Sequence, residues 1–282
     1  MAGEPARAFA PGHVTGFFTI ERGDDPIETG SRGGGVALTD GVTVEVRPSD
    51  DRAVYLDDAS IEVEPVERVL DALRVDATVL ASTDLPIGAG FGVSGAMALA
   101  TALAANDCFD RSLSTNELVA IAHGAEVQSG TGLGDVVAQA RGGVTLRLDP
   151  GGPNYNRLDG IPDGGRIEYL SLGELSTASV LDDEPARITE AGRIALSRVV
   201  DDPTIPEFMH ASRRFARETE LLTESIREIV EDVTNAGGSA SMAMLGETVF
   251  APGTGLSDAG YEPTVCRVDR TGASVIDSAP SR

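Results

Sequence analysis

Pro86-Ile87-Gly88-Ala89-Gly90-Phe91-Gly92-Val93-Ser94-Gly95-Ala96, running on as Met97-Ala98-Leu99-Ala100-Thr101-Ala102-Leu103-Ala104, decides how the rest of the chain is read. Glycines at 88, 90 and 92 clear the side chains from one edge of a turn, and the alanine-rich run behind them has the composition of a helix. A glycine loop that opens into a helix N-terminus presents unpaired N–H groups and the positive end of the helix dipole, an anion site whose usual occupant is phosphate. Ser94, in the first helical turn, stands where a hydroxyl would meet a Mg²⁺–phosphate complex. For the glycines alone, a tight turn ahead of a buried helix is the simpler account. Two other glycine-loop readings fail. The dinucleotide fingerprint needs G-x-G-x-x-G, whereas this loop is G-x-G-x-G. The Walker loop needs a lysine, and all 22 basic residues are arginine, which also excludes protein kinases and Schiff-base enzymes.

The pattern P-x-G-x-G-F-G-x-S-x-A resembles the second motif of the GHMP kinase superfamily, P-x-G-x-G-L-G-S-S-A-A, from which Val93 and Gly95 depart. The resemblance implies that Pro86, Gly88, Gly90, Gly92, Ser94 and Gly95 bind the ATP phosphates and that Ser94 is a Mg²⁺ ligand. Upstream, Ala10-Pro11-Gly12-His13 resembles the superfamily's first motif, with His13 at a position where a basic residue is common. Downstream, Asn235-Ala236-Gly237-Gly238-Ser239-Ala240-Ser241-Met242-Ala243-Met244-Leu245 resembles the third, a glycine loop followed by a buried strand.

Around these motifs the chain alternates strands with glycine turns. Arg7 to Ala10 reads as a short strand broken by Pro11-Gly12, followed by a glycine-spaced turn through Phe18. Val36-Ala37-Leu38 and Val42 to Val46 read as strand and hairpin partner, Ile61 to Val63 as another strand, Pro65 to Leu73 as an amphipathic helix, and Ala77 to Ala81 as the strand feeding the loop. Ser114-Thr115-Asn116-Glu117 is a capping box, which predicts a helix with His123 and Glu126 near its C-terminal end. The next turn, Ser129-Gly130-Thr131-Gly132-Leu133-Gly134-Asp135, leads into Gln139, Arg141 and a strand from Val144 to Leu148.

That segment resembles the superfamily region whose Asp is the catalytic base, which implies that role for Asp135; an Asp after a Gly also suits a helix N-cap. By the same resemblance Glu126 is the second Mg²⁺ ligand. A composition shift at Pro150-Gly151-Gly152-Pro153 places a domain boundary there, giving an ATP-binding domain over 1–152 and a C-terminal domain over 153–282. In the latter, Ile167 to Leu172 reads as a strand and Pro206 to Val233 as a broken helical region. The implied fold is the α+β, two-domain GHMP kinase fold, with a mixed α/β N-terminal domain and a ferredoxin-like C-terminal one.

Composition narrows the partners. A net charge of −23 over 282 residues repels nucleic acid and anionic membranes. The acidity is scattered in singles and pairs, and with no lysine or tryptophan it is similar to that of halophilic proteins, in which molar salt screens self-repulsion. Cys108 and Cys266 stand far apart without metal-ligand spacing. No window approaches eighteen apolar residues and the N-terminus carries no signal pattern, so a cytoplasmic enzyme is expected. A homodimer is left open.

His13-x-Thr15-Gly16-Phe17-Phe18, Gly30-Ser31-Arg32-Gly33-Gly34-Gly35 and Gly130-Thr131-Gly132-Leu133-Gly134-Asp135 together resemble the archaeal pantoate kinase branch, which implies ATP-dependent phosphorylation of (R)-pantoate on the way to coenzyme A. Shikimate- or homoserine-kinase-like enzymes, or a nucleotide-binding regulator without activity, are the alternatives. A carboxylate substrate in a lysine-free protein must be held by arginine, helped by histidine. Arg147, fixed on a strand, is the first candidate, with Arg32, Arg141, His13, His123 and Thr177 as further substrate ligands.

Overall fold

The computed structural model describes residues 4–173 and 185–277. Thr177, a substrate candidate, lies outside the described residues. Two antiparallel-dominated sheets carry the chain. The larger has eight strands: β1 (Ala6–Phe18), β2 (Gly33–Pro48), β3 (Ala53–Leu56), β4 (Ala59–Ser60), β5 (Ala77–Ser82), β6 (Val144–Asp149), β7 (Arg157–Ile161) and, returning from the C-terminal end, β12 (Ser274–Ile276). The smaller runs β11 (Thr264–Arg267), β8 (Arg166–Gly173), β10 (Glu247–Pro252), β9 (Ser241–Ala243).

The first strand differs from its sequence reading. Pro11-Gly12 does not end it: β1 continues for 13 residues, and the register against β2 shifts between Pro11 and Gly12 and again between Thr15 and Phe17. Such bulges absorb the proline's missing N–H and bend the strand without breaking it. β2 is likewise one strand of 16 residues. Its first part, the glycine run, pairs with β6 (Gly33 opposite Arg147), and its last part pairs with β5 (Val44 opposite Ala81). Ile61 to Val63 is not a strand, since Val63 is the N-cap of α1 (Glu64–Leu73).

The loop from β5 feeds α2 (Val93–Cys108), whose alanine-rich surface is buried on nearly every side. It packs against β1 and β2 on one side and against α1 and α3 (Thr115–Ser129) on the other. Small side chains permit that close approach all round. α3 starts at the expected capping box, with Ser114 and Glu117 bonding each other's backbone N–H. α4 (Asp135–Arg141) is a short helix between α3 and β6. Beyond it come α5 (Pro185–Asp201), α6 (Ile205–Glu218), α7 (Glu224–Asn235) and the single turn α8 (Gly255–Asp258). Phe208 and Phe215 on α6 meet Phe17 and Phe18 of β1, with ring centroids 5.7 and 5.5 Å apart, so aromatic packing joins the C-terminal helices to the first sheet. The boundary between the sheets falls after Ile161, since β7 pairs with β6 and not with β8.

Candidate active site

The loop before α2 holds Gly88, Gly90 and Gly92 at φ of 73°, 91° and 61°, the left-handed region that side chains disfavour. Gly92 is the helix N-cap and supplies no side-chain cap; the first intrahelical bond runs from Ala96 N–H to its carbonyl. The N–H groups of Val93, Ser94 and Gly95 therefore face outward at the positive end of a 16-residue helix. Three elements hold this turn in place. His13 N–H of β1 donates to Phe91 O at 2.8 Å, Gln139 Nε2 of α4 donates to Gly92 O at 2.9 Å, and the Met244–Gly246 turn packs on Ala89 and Gly90.

Asp135 opens α4 directly against the loop. A Cβ added at Gly92 would come within 3.1 Å of the Asp135 Cβ, so glycine there lets the carboxylate lie against the phosphate turn. Its Oδ1 accepts from His13 Nδ1 at 2.6 Å and from Thr15 Oγ1 at 3.3 Å. His13 and Thr15, two residues apart, share one face of β1. Burial penalises the Asp135 charge, but these hydrogen bonds and the positive charge of Arg147 outweigh it and hold the carboxyl below its ordinary range. Burial also pushes His13 below its ordinary pKa of 6.5, against the pull of Asp135. The pair is thus an aspartate and a neutral imidazole whose Nδ1–H points at it.

Glu126, on α3, lies fully buried beside this pair. Its Oε1 accepts from Ser94 Oγ at 2.5 Å, and desolvation raises its pKa to about 7. A Cβ on Gly132 would stand on its other oxygen, so the α3–α4 turn closes over the carboxylate. Among the described residues no three His, Cys, Asp or Glu converge as a metal cage. One desolvated carboxylate and one hydroxyl beside a phosphate turn are nevertheless the hard-oxygen donors that Mg²⁺ takes when phosphates and water complete its shell, so Ser94 and Glu126 fit such an ion.

Thr15, Gly88, Gly90, Gly92, Ser94, Glu126, Asp135, Met244 and Leu245 all line one cavity of about 350 Å³. Pro86 is exposed at the loop's entrance, and Gly95 packs inward on Gln139 and Glu126. The arginines expected at the substrate are not brought to this cavity. Arg147 is 1% exposed behind Asp135, with Nε donating to Ser31 O at 3.3 Å and Nη1 buried without a partner among the described residues. A guanidinium so sealed acts on Asp135 through its charge. Arg141 lies on another face, lining a cavity with Gly160, Asp163 and Arg270, because α4 ends there and turns its last side chain outward. Arg32 points to the surface and pairs with Glu21 and Asp149 at 3.6 and 3.8 Å. His123 is buried and donates from Nε2 to Thr29 O at 2.8 Å, fastening the turn before Ser31 and Arg32.

The motifs name Thr15 and Gln139 but assign neither a role. Both could have been found by periodicity: Thr15 lies two residues after His13 on a strand, and Gln139 lies four after Asp135 on a helix.

Comparison with known proteins follows the same geometry. The family description "GHMP kinases N terminal domain" matches residues 63–143, which hold the glycine loop, Glu126 and Asp135. The pantoate kinase of Methanocaldococcus jannaschii is 35% identical over 250 residues, covering 86% of this chain and 90% of that protein. The pantoate kinase of Methanospirillum hungatei is 36% identical over 257 residues, covering 87% and 86%. A solved phosphotransferase related to the CoA biosynthesis pathway superposes with a TM-score of 0.86 at 29% identity, over 96% of this chain and 98% of that one. A homoserine kinase from Cytophaga hutchinsonii shares the fold at TM-score 0.68 and 18% identity, over 96% and 97%.

Proposed function

We propose, for a chain that belongs to the GHMP kinase superfamily and within it to the pantoate kinases, that it transfers the γ-phosphoryl group of ATP to (R)-pantoate, giving 4-phosphopantoate for coenzyme A synthesis. The observation that carries this reading is the half-buried Asp135 carboxylate, hydrogen-bonded by His13 and packed against the glycine that caps the helix after the glycine loop.

In this reading the N–H groups opening α2 hold the nucleotide phosphates, and Ser94 and Glu126 hold the divalent cation. When bound, Mg-ATP supplies the phosphoryl group and the cation that neutralises its developing charge. Asp135 accepts the proton of the substrate's primary hydroxyl as that oxygen attacks phosphorus. His13 and Thr15 keep the carboxylate ionised and aimed, and Arg147 stabilises its charge from behind. The C-terminal turn at Met244 and Leu245 covers the loop and limits water at the reacting centre.

The buried free thiols of Cys108 and Cys266 suit a reducing cytoplasm, which is the compartment proposed for the reaction. Among the described residues no helix is long and apolar enough to cross a membrane. The acidic, lysine-free surface supports a protein that works in high salt.

ATP consumption measured against a panel of hydroxy acids tests the assignment. Turnover with pantoate at least tenfold above shikimate and homoserine is expected. Preference for another alcohol would replace the substrate, and no turnover with any would leave a regulator.

A further inference from the structure

We propose that the cavity between α6 and α7 is a second anion site, which takes a small carboxylate- or phosphate-bearing molecule. It encloses about 400 Å³ and shares no lining residue with the cavity at the glycine loop. Arg213 and Arg217 project into it from successive turns of α6, and Arg227, Thr234 and Asn235 from α7. Ser241, at the start of β9, forms its floor.

The charges identify the ligand class. Acidic residues outnumber basic ones 45 to 22, and many arginines pair with them, among them Arg52 with Asp71 and Asp76, Arg198 with Glu207, and Arg214 with Glu218. Arg213 and Arg217 carry no carboxylate partner among the described residues. Arg213 donates to the neutral Ser239 Oγ at 2.5 Å and weakly to Ala240 O at 3.4 Å, and burial together with the charge of Arg217 holds it below its ordinary pKa. Arg227 is paired with Glu224 at 2.6 Å, and Glu231 is the one carboxylate in the lining. Two neighbouring guanidiniums are therefore left to repel each other in a protein with carboxylates to spare, an arrangement that an incoming oxyanion relieves.

Ser241 gives independent support. It is 1% exposed, lines the cavity, and its hydroxyl has no hydrogen-bond partner among the described residues. An orphaned buried donor beside unpaired arginines is what a bound oxyanion would satisfy.

Pantoate is one source of the anion. Ser241 opens β9, and Met244, in the turn directly after that strand, lines the glycine-loop cavity, so the two cavities lie at opposite ends of one short segment. Pantoate is too short to reach this cavity with its hydroxyl at Asp135, so pantoate bound here is a second molecule and not the one being phosphorylated. A separate phosphorylated effector has the same chemistry. The pantoate source rests on the proposed function; the anion site itself does not.

The test is calorimetric titration of pantoate and, separately, of inorganic phosphate into the full chain, with Mg-ADP on the loop and KCl fixed. At least one should bind, and at least tenfold more weakly to Arg217→Ala and to Ser241→Ala at unchanged Tm. Arg217→Ala removes no hydrogen bond of the fold, and Ser241→Ala removes only an unpaired hydroxyl. Loss of a second pantoate binding event, with the KM values for pantoate and ATP unchanged, identifies pantoate itself as the occupant. A loss for phosphate alone, with kcat and both KM values unchanged, identifies a separate effector. Affinities for both that match wild type in both variants, or no binding by wild type, would overturn the site even if pantoate kinase activity is present.

Discussion

His13 donates from Nδ1 to Asp135 Oδ1 across 2.6 Å, while its own backbone N–H holds the glycine loop at Phe91 O. One residue thus fixes the Asp135 carboxylate and the glycine loop relative to each other. Its imidazole is buried and held neutral, so below about pH 6.5 the unfolded chain takes up a proton that the folded chain refuses. This contribution to stability is complete above that pH and is lost on acidification. His13→Asn should flatten the slope of unfolding free energy between pH 5 and 6.5 by up to about 1.4 kcal/mol per pH unit and lower kcat about tenfold or more. Denaturant titrations at several pH values, with wild-type slope retained in the variant as the contrary result, check it.

Glu126 has the opposite sign. Its pKa is raised to about 7, so its contribution is present below the unfolded value of 4.5 and is lost as pH climbs through 7. Metal-free Glu126→Gln should therefore be more stable than wild type at pH 8, by up to about 3 kcal/mol, and equal to it near pH 4.5. Mg-ADP should reverse the order at pH 8 by stabilising only the wild type strongly. Melting curves with and without Mg-ADP show whether it does.

Ser94→Ala removes the hydroxyl that donates to Glu126 at the start of α2 and touches no packing contact of the helix. Turnover should fall about 10²-fold or more while Tm moves by only a few degrees. Unchanged turnover in saturating Mg-ATP would remove Ser94 from the site.

How much of this was legible beforehand divides along the chain by range of interaction. The glycine loop, the capping box of α3 and the Asp135 turn are local patterns, and each was readable from a few neighbouring residues. Whether β1 breaks at Pro11-Gly12 depends on β2 lying opposite and accepting a bulge, which no local window records. The arginines show the same limit. Arg147 and Arg141 both follow Asp135 closely, yet strand pairing seals one behind the base and the end of α4 sends the other to a distant face. Arg213, far along the sequence, carries no local mark of the cavity it enters.

Salt dependence follows from the net charge of −23 without lysine. Lowering KCl from molar to tenth-molar extends the Debye length from about 3 to about 10 Å, so repulsion between surface carboxylates grows and Tm should fall. Activity and Tm that are unchanged at low salt would contradict a halophilic design.

The central claim is that Asp135 takes the proton of the pantoate hydroxyl, and steady-state kinetics of Asp135→Asn with pantoate and Mg-ATP test it most directly. Asparagine keeps the size and the helix-opening role and can still accept from His13, but it is not a base. The account predicts a kcat lower by about 10²-fold or more, with the KM for pantoate and for ATP within a few-fold of wild type. A variant that phosphorylates pantoate at the wild-type rate would contradict it.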